Sequence, residues 1–335
     1  MTIRIRSLLA LGVLTAFIAA PSYAVTKAKK GTKPKAKVVA KAQPTTKASV
    51  SPTTAATAST AAATTASTTV APSTSAPVAG GATLEAIRKR GKISIGVKQN
   101  VPLIGLKNPV TGDLQGFDIE IAKIVARAIF GTDKDRIAFE DASVSANRIP
   151  FITDNKVDLV IATFSITDDR KKQIDMAGPY YVAGQDILIY KVDLPNIKTV
   201  DDLNGRRVCA QSASTSLALL KTKVPKASFL ELPGVAECVE ALKDGRVDAV
   251  STDDTLLAGF AEKFNAFALV GKSFSVENYG IGLKKGDTSF RNYLNDVIEA
   301  SFKDGSWKKA VESSIATGGI VVPSPPKVDR YAPIP

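Results

Sequence analysis

The sequence predicts an α/β protein built as two lobes, and three observations point there. Short apolar strand-like runs alternate with amphipathic helical runs through the second two-thirds of the chain. One strand-containing unit is echoed about ninety residues later. Roughly 250 residues follow a low-complexity stretch, enough for two lobes of ordinary size.

The elements follow in order. Ile93 to Val97 reads as a strand. Asp118 is placed to cap a helix whose apolar face is Ile121, Ile124, Val125, Ala128 and Ile129. Ser145 opens a second helix through Ile149 and Ile152, and Val157 to Ala162 forms a buried strand. The theme then repeats: strand 207–210, helix 216–224, strand 229–232, helix 235–242, strand 247–251 and helix 255–264. Such alternation with short strands predicts parallel sheets.

The echo pairs Asp154-Asn-Lys-Val-Asp-Leu-Val-Ile-Ala-Thr163 with Asp244-Gly-Arg-Val-Asp-Ala-Val-Ser-Thr-Asp253. Each ends a helix, turns, runs a buried strand and delivers polar residues at its carboxyl end. Ligands of open α/β sheets bind beyond such strand ends. Two of them facing each other make a cleft between lobes.

The polar groups at the two ends differ in sign. The first offers Thr163, Ser165 and Arg170. Hydroxyls beside a guanidinium suit a carboxylate, because Arg grips both oxygens through paired donors. The second offers Asp253 and Asp254, suited to an ammonium, and the run Gln211-Ser-Ala-Ser-Thr-Ser216 at a helix start, whose amides suit an anion. A carboxylate grip with an ammonium grip matches an α-amino acid.

The amino end reads differently. Arg4 and Arg6 precede an uncharged run from Leu8 to Ala20, and Ser22-Tyr23-Ala24 follows. This is the pattern of a secretory signal peptide over residues 1–24, with cleavage expected after Ala24 and no Cys nearby for a lipid. Residues 25–82 hold no Leu, Ile, Met, Phe, Tyr, Trp, Asp or Glu. They are Lys-rich, then Ala/Thr/Ser/Pro-rich, and such a segment has nothing to bury, so a disordered linker is expected. Its eight lysines suggest contact with an anionic wall polymer or membrane surface. They also account for +8 of the formal charge of +12, so the folded part is close to neutral and nucleic acid is not expected as a partner.

Cys209 and Cys238, the only cysteines, read as a disulfide in an exported chain. Histidine is absent, which removes His-based triads and His metal ligands; no metal or other cofactor is expected.

Gly116-Phe-Asp-Ile-Glu-Ile-Ala122, Arg148-Ile-Pro150, Val157-Asp-Leu-Val-Ile-Ala-Thr163, Gly178-Pro-Tyr-Tyr181 and Tyr279-Gly-Ile-Gly282 occur together and in order. As a set they resemble the family 3 solute-binding proteins of polar amino-acid ABC transporters, closest in look to the glutamate/aspartate-binding branch. The resemblance runs from about Thr83 to Gly318. It implies a periplasmic-binding-protein-like type II fold: lobe 1 over 83–182 plus 276–318, lobe 2 over 183–275, two hinge crossings near Ala183 and Ser275, and a Pro-rich tail at 319–335. It also implies a periplasmic or cell-surface monomer that binds a free amino acid and docks a membrane permease. By position, Thr163, Ser165 and Arg170 would hold the α-carboxylate, helped by Thr215 with Ser212 or Ser214, and Asp253 the ammonium. Lys98 and Arg148 would meet a side-chain carboxylate, making glutamate or aspartate the expected ligand. Ala213 departs from the family's usual Gly.

Two other classes fit the same fold. One is an enzyme, a dehydratase or wall-cleaving relative, which needs a positioned acid or base. The other is a tethered surface sensor for another polar amino acid.

Overall fold

The computed structural model describes residues 80–332. The expected signal peptide, almost all of the linker and the last three residues lie outside them.

Helix α1 (Gly81–Arg90) leads into β1 (Ile93–Val97), and three short strands follow: β2 (Asn100–Val101), β3 (Gly105–Lys107) and β4 (Leu114–Gln115). Next come α2 (Phe117–Phe130), β5 (Ile137–Asp141), a 3-10 turn at Ser145–Asn147, α3 (Arg148–Thr153), β6 (Leu159–Ser165) and α4 (Asp168–Lys171). Then β7 (Asp175–Ala183) leads through Gly184 to β8 (Gln185–Tyr190). The second half runs β9 (Arg207–Gln211), α5 (Thr215–Lys223), β10 (Ser228–Leu232), α6 (Val235–Lys243), β11 (Ala249–Asp253), α7 (Asp254–Lys263) and β12 (Phe267–Leu269). Finally β13 (Glu277–Leu283), α8 (Thr288–Asp304) and α9 (Ser306–Glu312) precede an irregular end.

Two five-stranded sheets result, ordered β5-β1-β6-β13-β7 and β10-β9-β11-β8-β12. This is the two-lobe α/β architecture of the type II binding proteins. The chain leaves the first sheet at Ala183 and returns to it at Glu277, and the two crossings touch where the Gln185 amide donates to Ser275 Oγ at 3.0 Å.

The purely parallel expectation is corrected. β1 runs parallel to β5 and β6, and β9 parallel to β10 and β11. β13 is antiparallel to β6 and β7, and β8 antiparallel to β11 and β12. β7, β8 and β13 are buried nearly throughout, so they carry no alternation of the kind that marks a half-exposed strand.

The echo is a matched piece of geometry. Asp158 accepts the Ser94 amide at 2.7 Å as β6 begins beside β1, and Asp248 accepts the Arg207 amide at 2.8 Å as β11 begins beside β9. The preceding turns pass through Asn155 and Gly245, both at positive φ. Strands β6 and β11 start two residues later than periodicity suggests and run on to Ser165 and Asp253, so the polar residues lie on the strand ends themselves.

Two details of α2 also differ. Gly116, not Asp118, is its N-cap, and Asp118 lies buried in the first turn. Ala128 is exposed; Phe117, Ala122 and Ala126 take places on the buried face. The expected helix at Ser145 begins as the 3-10 turn.

The irregular end is tied down against β7, the edge of the first sheet. The Asp329 amide donates to Gly178 O and the Met176 amide to Tyr331 Oη, both at 2.8 Å. Arg330 pairs with Asp296 and Glu299 of α8.

Cys209 and Cys238 are joined, linking β9 to α6 across a sequence separation of 29. A loop of that size stabilises by about 3–4 kcal/mol. Replacing both cysteines with Ala should lower the denaturant-derived stability by that amount, and a loss too small to measure would contradict the assignment. Ala213 sits at φ 54, a conformation unfavourable for any residue with a Cβ by about 1–2 kcal/mol. After the extra unfolded-state entropy of Gly, Ala213→Gly should raise stability by roughly 0.5–1 kcal/mol in the same assay.

Candidate functional site

The carboxyl ends of β1, β6, β9 and β11 converge on one cavity. Its free volume is small, about 20 Å³, and it is lined by Lys98, Ser145, Arg148, Thr163, Ser165, Arg170, Gln211, Ser214, Thr215, Ser216, Thr252, Asp253 and Leu256. Of the residues expected at the site, all but Ser212 and Asp254 line it. The Ser212 amide is drawn to Leu232 O at 2.8 Å, at the end of β10. Ser214 lines the cavity, but its hydroxyl caps α5, accepting from the Leu217 amide at 3.1 Å and donating to Gln211 O at 2.6 Å.

Asp254 also turns away. Its carboxylate accepts the Thr255 amide and Ser273 Oγ beside the interlobe crossing. Sequence reasoning missed Ser145, Gln211, Ser216, Thr252 and Leu256 as lining residues. Gln211, Ser216 and Thr252 lay inside runs already singled out; Ser145 read as a helix start, and nothing marked Leu256.

The cationic half takes Arg170 from α4, next to the hydroxyls of β6. Thr163, inside β6, has φ 47, rare for a β-branched residue. Arg170 follows the Thr167-capped turn and donates through Nη1 to Ser165 O at 2.6 Å. Its guanidinium lies 4.5 Å from the Phe164 ring centre, and that of Arg148 lies 5.6 Å from the same ring. Burial pushes both arginines down to about 10, and Arg170 adds to the shift of Arg148.

Lys98 and Arg148 are 1% and 3% exposed. Arg148 Nε donates to Ala142 O at 3.1 Å, but its buried Nη2 has no hydrogen-bond partner. Burial, then the nearby Arg148, holds Lys98 well below the usual lysine range. Buried cations in this state gain from any anion brought among them.

Asp253 faces them from β11. Its Oδ2 accepts Tyr279 Oη at 2.7 Å and its Oδ1 accepts Ser216 Oγ at 3.4 Å. Burial, then the Glu277 carboxylate, pushes Asp253 up to about 7. A ligand ammonium would restore its charge.

Tyr279 and Glu277 belong to the first sheet but serve the second. Tyr279 Oη lies 2.8 Å from Thr255 Oγ1, and Thr215 Oγ1 donates to Glu277 Oε2 at 3.1 Å. Gln211 Nε2 donates to Ser143 O at 2.6 Å, and Ser165 and Thr215 hydroxyls lie 3.5 Å apart. These contacts span the cleft.

Among the described residues no cluster of ligating side chains could hold a metal ion, and no helix is long and apolar enough to cross a membrane.

The chain is similar to known binding proteins over this same region. The ABC transporter glutamine-binding protein GlnH of Bacillus subtilis is 40% identical over 226 residues, 67% of this chain and 81% of the relative. The glutamate-binding protein GluB of Corynebacterium glutamicum is 33% identical over 254 residues, 73% of this chain and 85% of the relative. Among solved structures, an ancestral arginine-binding protein bound to arginine superposes with a TM-score of 0.62 at 34% identity, over 67% of this chain and 98% of that one. Residues 93–315 match the profile of the bacterial extracellular solute-binding proteins, family 3, and the chain belongs to that family.

Proposed function

We propose that this protein is the exported binding component of an amino-acid ABC importer, and that it carries glutamate or aspartate to a membrane permease. Arg170 would grip the α-carboxylate, with Thr163, Ser165 and Thr215 beside it, and Asp253 would hold the α-ammonium. Those groups serve any α-amino acid. The acidic assignment is carried by one observation: beyond Arg170, the cavity has two more buried cations, Lys98 and Arg148, and Arg148 Nη2 has no partner. A neutral side chain would bring no added anion to these cations.

The cavity supports binding rather than turnover. Its carboxylate is fixed by Tyr279 and Ser216, an arrangement suited to holding a cation. A second reading, glutamine, is favoured by the 40% identity to a glutamine-binding relative.

A thermal-shift screen of the twenty amino acids separates these readings. Glutamate or aspartate should give the largest rise, since ligand at about 100 times its Kd adds roughly 2.7 kcal/mol. Arg170→Ala should abolish the response to every amino acid. Arg148→Ala should weaken the acidic ligands by about 10- to 100-fold, the worth of one charged hydrogen bond, and glutamine far less. A largest rise with glutamine would overturn the acidic assignment, and no rise with any amino acid would overturn amino-acid binding as a whole.

A further inference from the structure

Asp118 is fully buried, yet it neither lines the cavity nor caps its helix. Two glycines pack the backbone at Lys98 and Ile104 against the start of its helix. A Cβ on Gly105 would lie 2.1 Å from Lys98 O, and a Cβ on Gly116 would lie 2.5 Å from Ile104 C and O. Only glycine lets the turn after β1 press against the start of α2 in this way. The Asp118 amide then donates to Ile104 O at 3.0 Å, which anchors the first turn of α2 beside Lys98. Tyr180 Oη donates to Asp118 Oδ1 at 2.7 Å, while Oδ2 is buried without a hydrogen bond. A carboxylate oxygen left bare in the interior is expensive unless a cation is near. The cations here are Lys98 and Arg148, the pair that gives the cavity its acidic preference.

We propose that Asp118 is a specificity-determining positioning residue: its buried carboxylate keeps Lys98 an ammonium, and the charged Lys98 makes the site choose an acidic side chain. This rests on the reading of Lys98 and Arg148 as side-chain grips.

The charges around the pair are few. Facing Asp118 are Lys98 after β1, Arg148 on α3, Tyr180 on β7 and the Thr163 amide on β6. Facing Lys98 are Arg148, which opposes its charge, and Asp118, Asp253 and Asp141, which favour it. Asp118 comes first among those three. Burial pushes Asp118 itself up to about 6, against the pull of Tyr180 and the two cations. It is therefore charged at neutral pH and loses its charge as pH falls below about 6. Removing it lets Lys98 lose its proton at a lower pH than in the wild type, so acidic ligands should be released from the variant first as pH rises.

Calorimetric Kd values for glutamate and glutamine between pH 5 and pH 8 test this with the wild type, Asp118→Asn and Tyr180→Phe. At pH 8 Asp118→Asn should bind glutamate at least about tenfold more weakly than wild type, or about 1.4 kcal/mol, with glutamine nearly unchanged. At pH 5, where wild-type Asp118 is also neutral, the two proteins should converge. Tyr180→Phe removes a donor that favours the charged carboxylate, so it should behave like Asp118→Asn up to a higher pH than wild type does. It carries the test alone if Asp118→Asn does not fold. Asp253 also favours the Lys98 charge and titrates in every protein, so each variant's glutamate-to-glutamine ratio is compared with that of wild type at the same pH. Equal weakening of both ligands at all pH values, or no change in the ratio, would overturn the proposal. Wild type preferring glutamine would instead overturn the ligand reading, and the change of the ratio with pH would still judge Asp118.

Discussion

Lys98 and Arg148 stand in the wall of a cavity that solvent hardly reaches, and buried positive charge of that kind needs anions placed around it. Much of the local architecture follows from that need. Lys98 sits where β1 ends, and Arg148 opens α3. The glycine-mediated contact packs the β1 turn against the start of α2, where Asp118 is buried. Phe164 offers its ring to Arg148 and Arg170, which spreads the three cations along one wall. The opposite wall supplies Asp253, fixed by a tyrosine from the first sheet.

That tyrosine shows how the two sheets act together. β13 belongs to the first sheet, yet Tyr279 and Glu277 bond to groups of the second. The strand returning from the interlobe crossing thus carries the residues that hold the lobes against each other. Phe117, Tyr180, Tyr181 and Trp307 pack around Tyr279 in a chain of ring contacts that fixes this end of the cleft. Asp253 lines the cavity and also accepts Tyr279 from the first sheet, so whatever enters between Arg170 and Asp253 acts on a cleft contact as well.

Much of this was legible in the sequence, and the reasons are specific. The repeated Val-Asp before a short apolar run encodes the two strand starts, because each Asp must meet the amide of a neighbouring strand. Hydroxyls and charges just after such runs sit at carboxyl ends, which placed Thr163, Ser165, Arg170, Thr215 and Asp253. Lys98 and Arg148 were readable only through motif position, since an isolated Lys or Arg otherwise reads as surface charge. Asp118 shows where local pattern misleads. An Asp at a helix start reads as a cap, and only tertiary packing reveals Gly116 as the cap and Asp118 buried. Antiparallel β13 and β8 were hidden because strands buried on both faces lose their alternation. Ser212 stands outside the cavity lining, beside Ala213 at positive φ, with its amide bonded at the end of β10.

The most direct test of the central claim is a crystal structure with glutamate bound. The α-carboxylate is expected on Arg170, the ammonium on Asp253, and the side-chain carboxylate within about 3 Å of both Lys98 Nζ and Arg148 Nη2. A side chain directed elsewhere, with Arg148 Nη2 still unpaired, would contradict that claim.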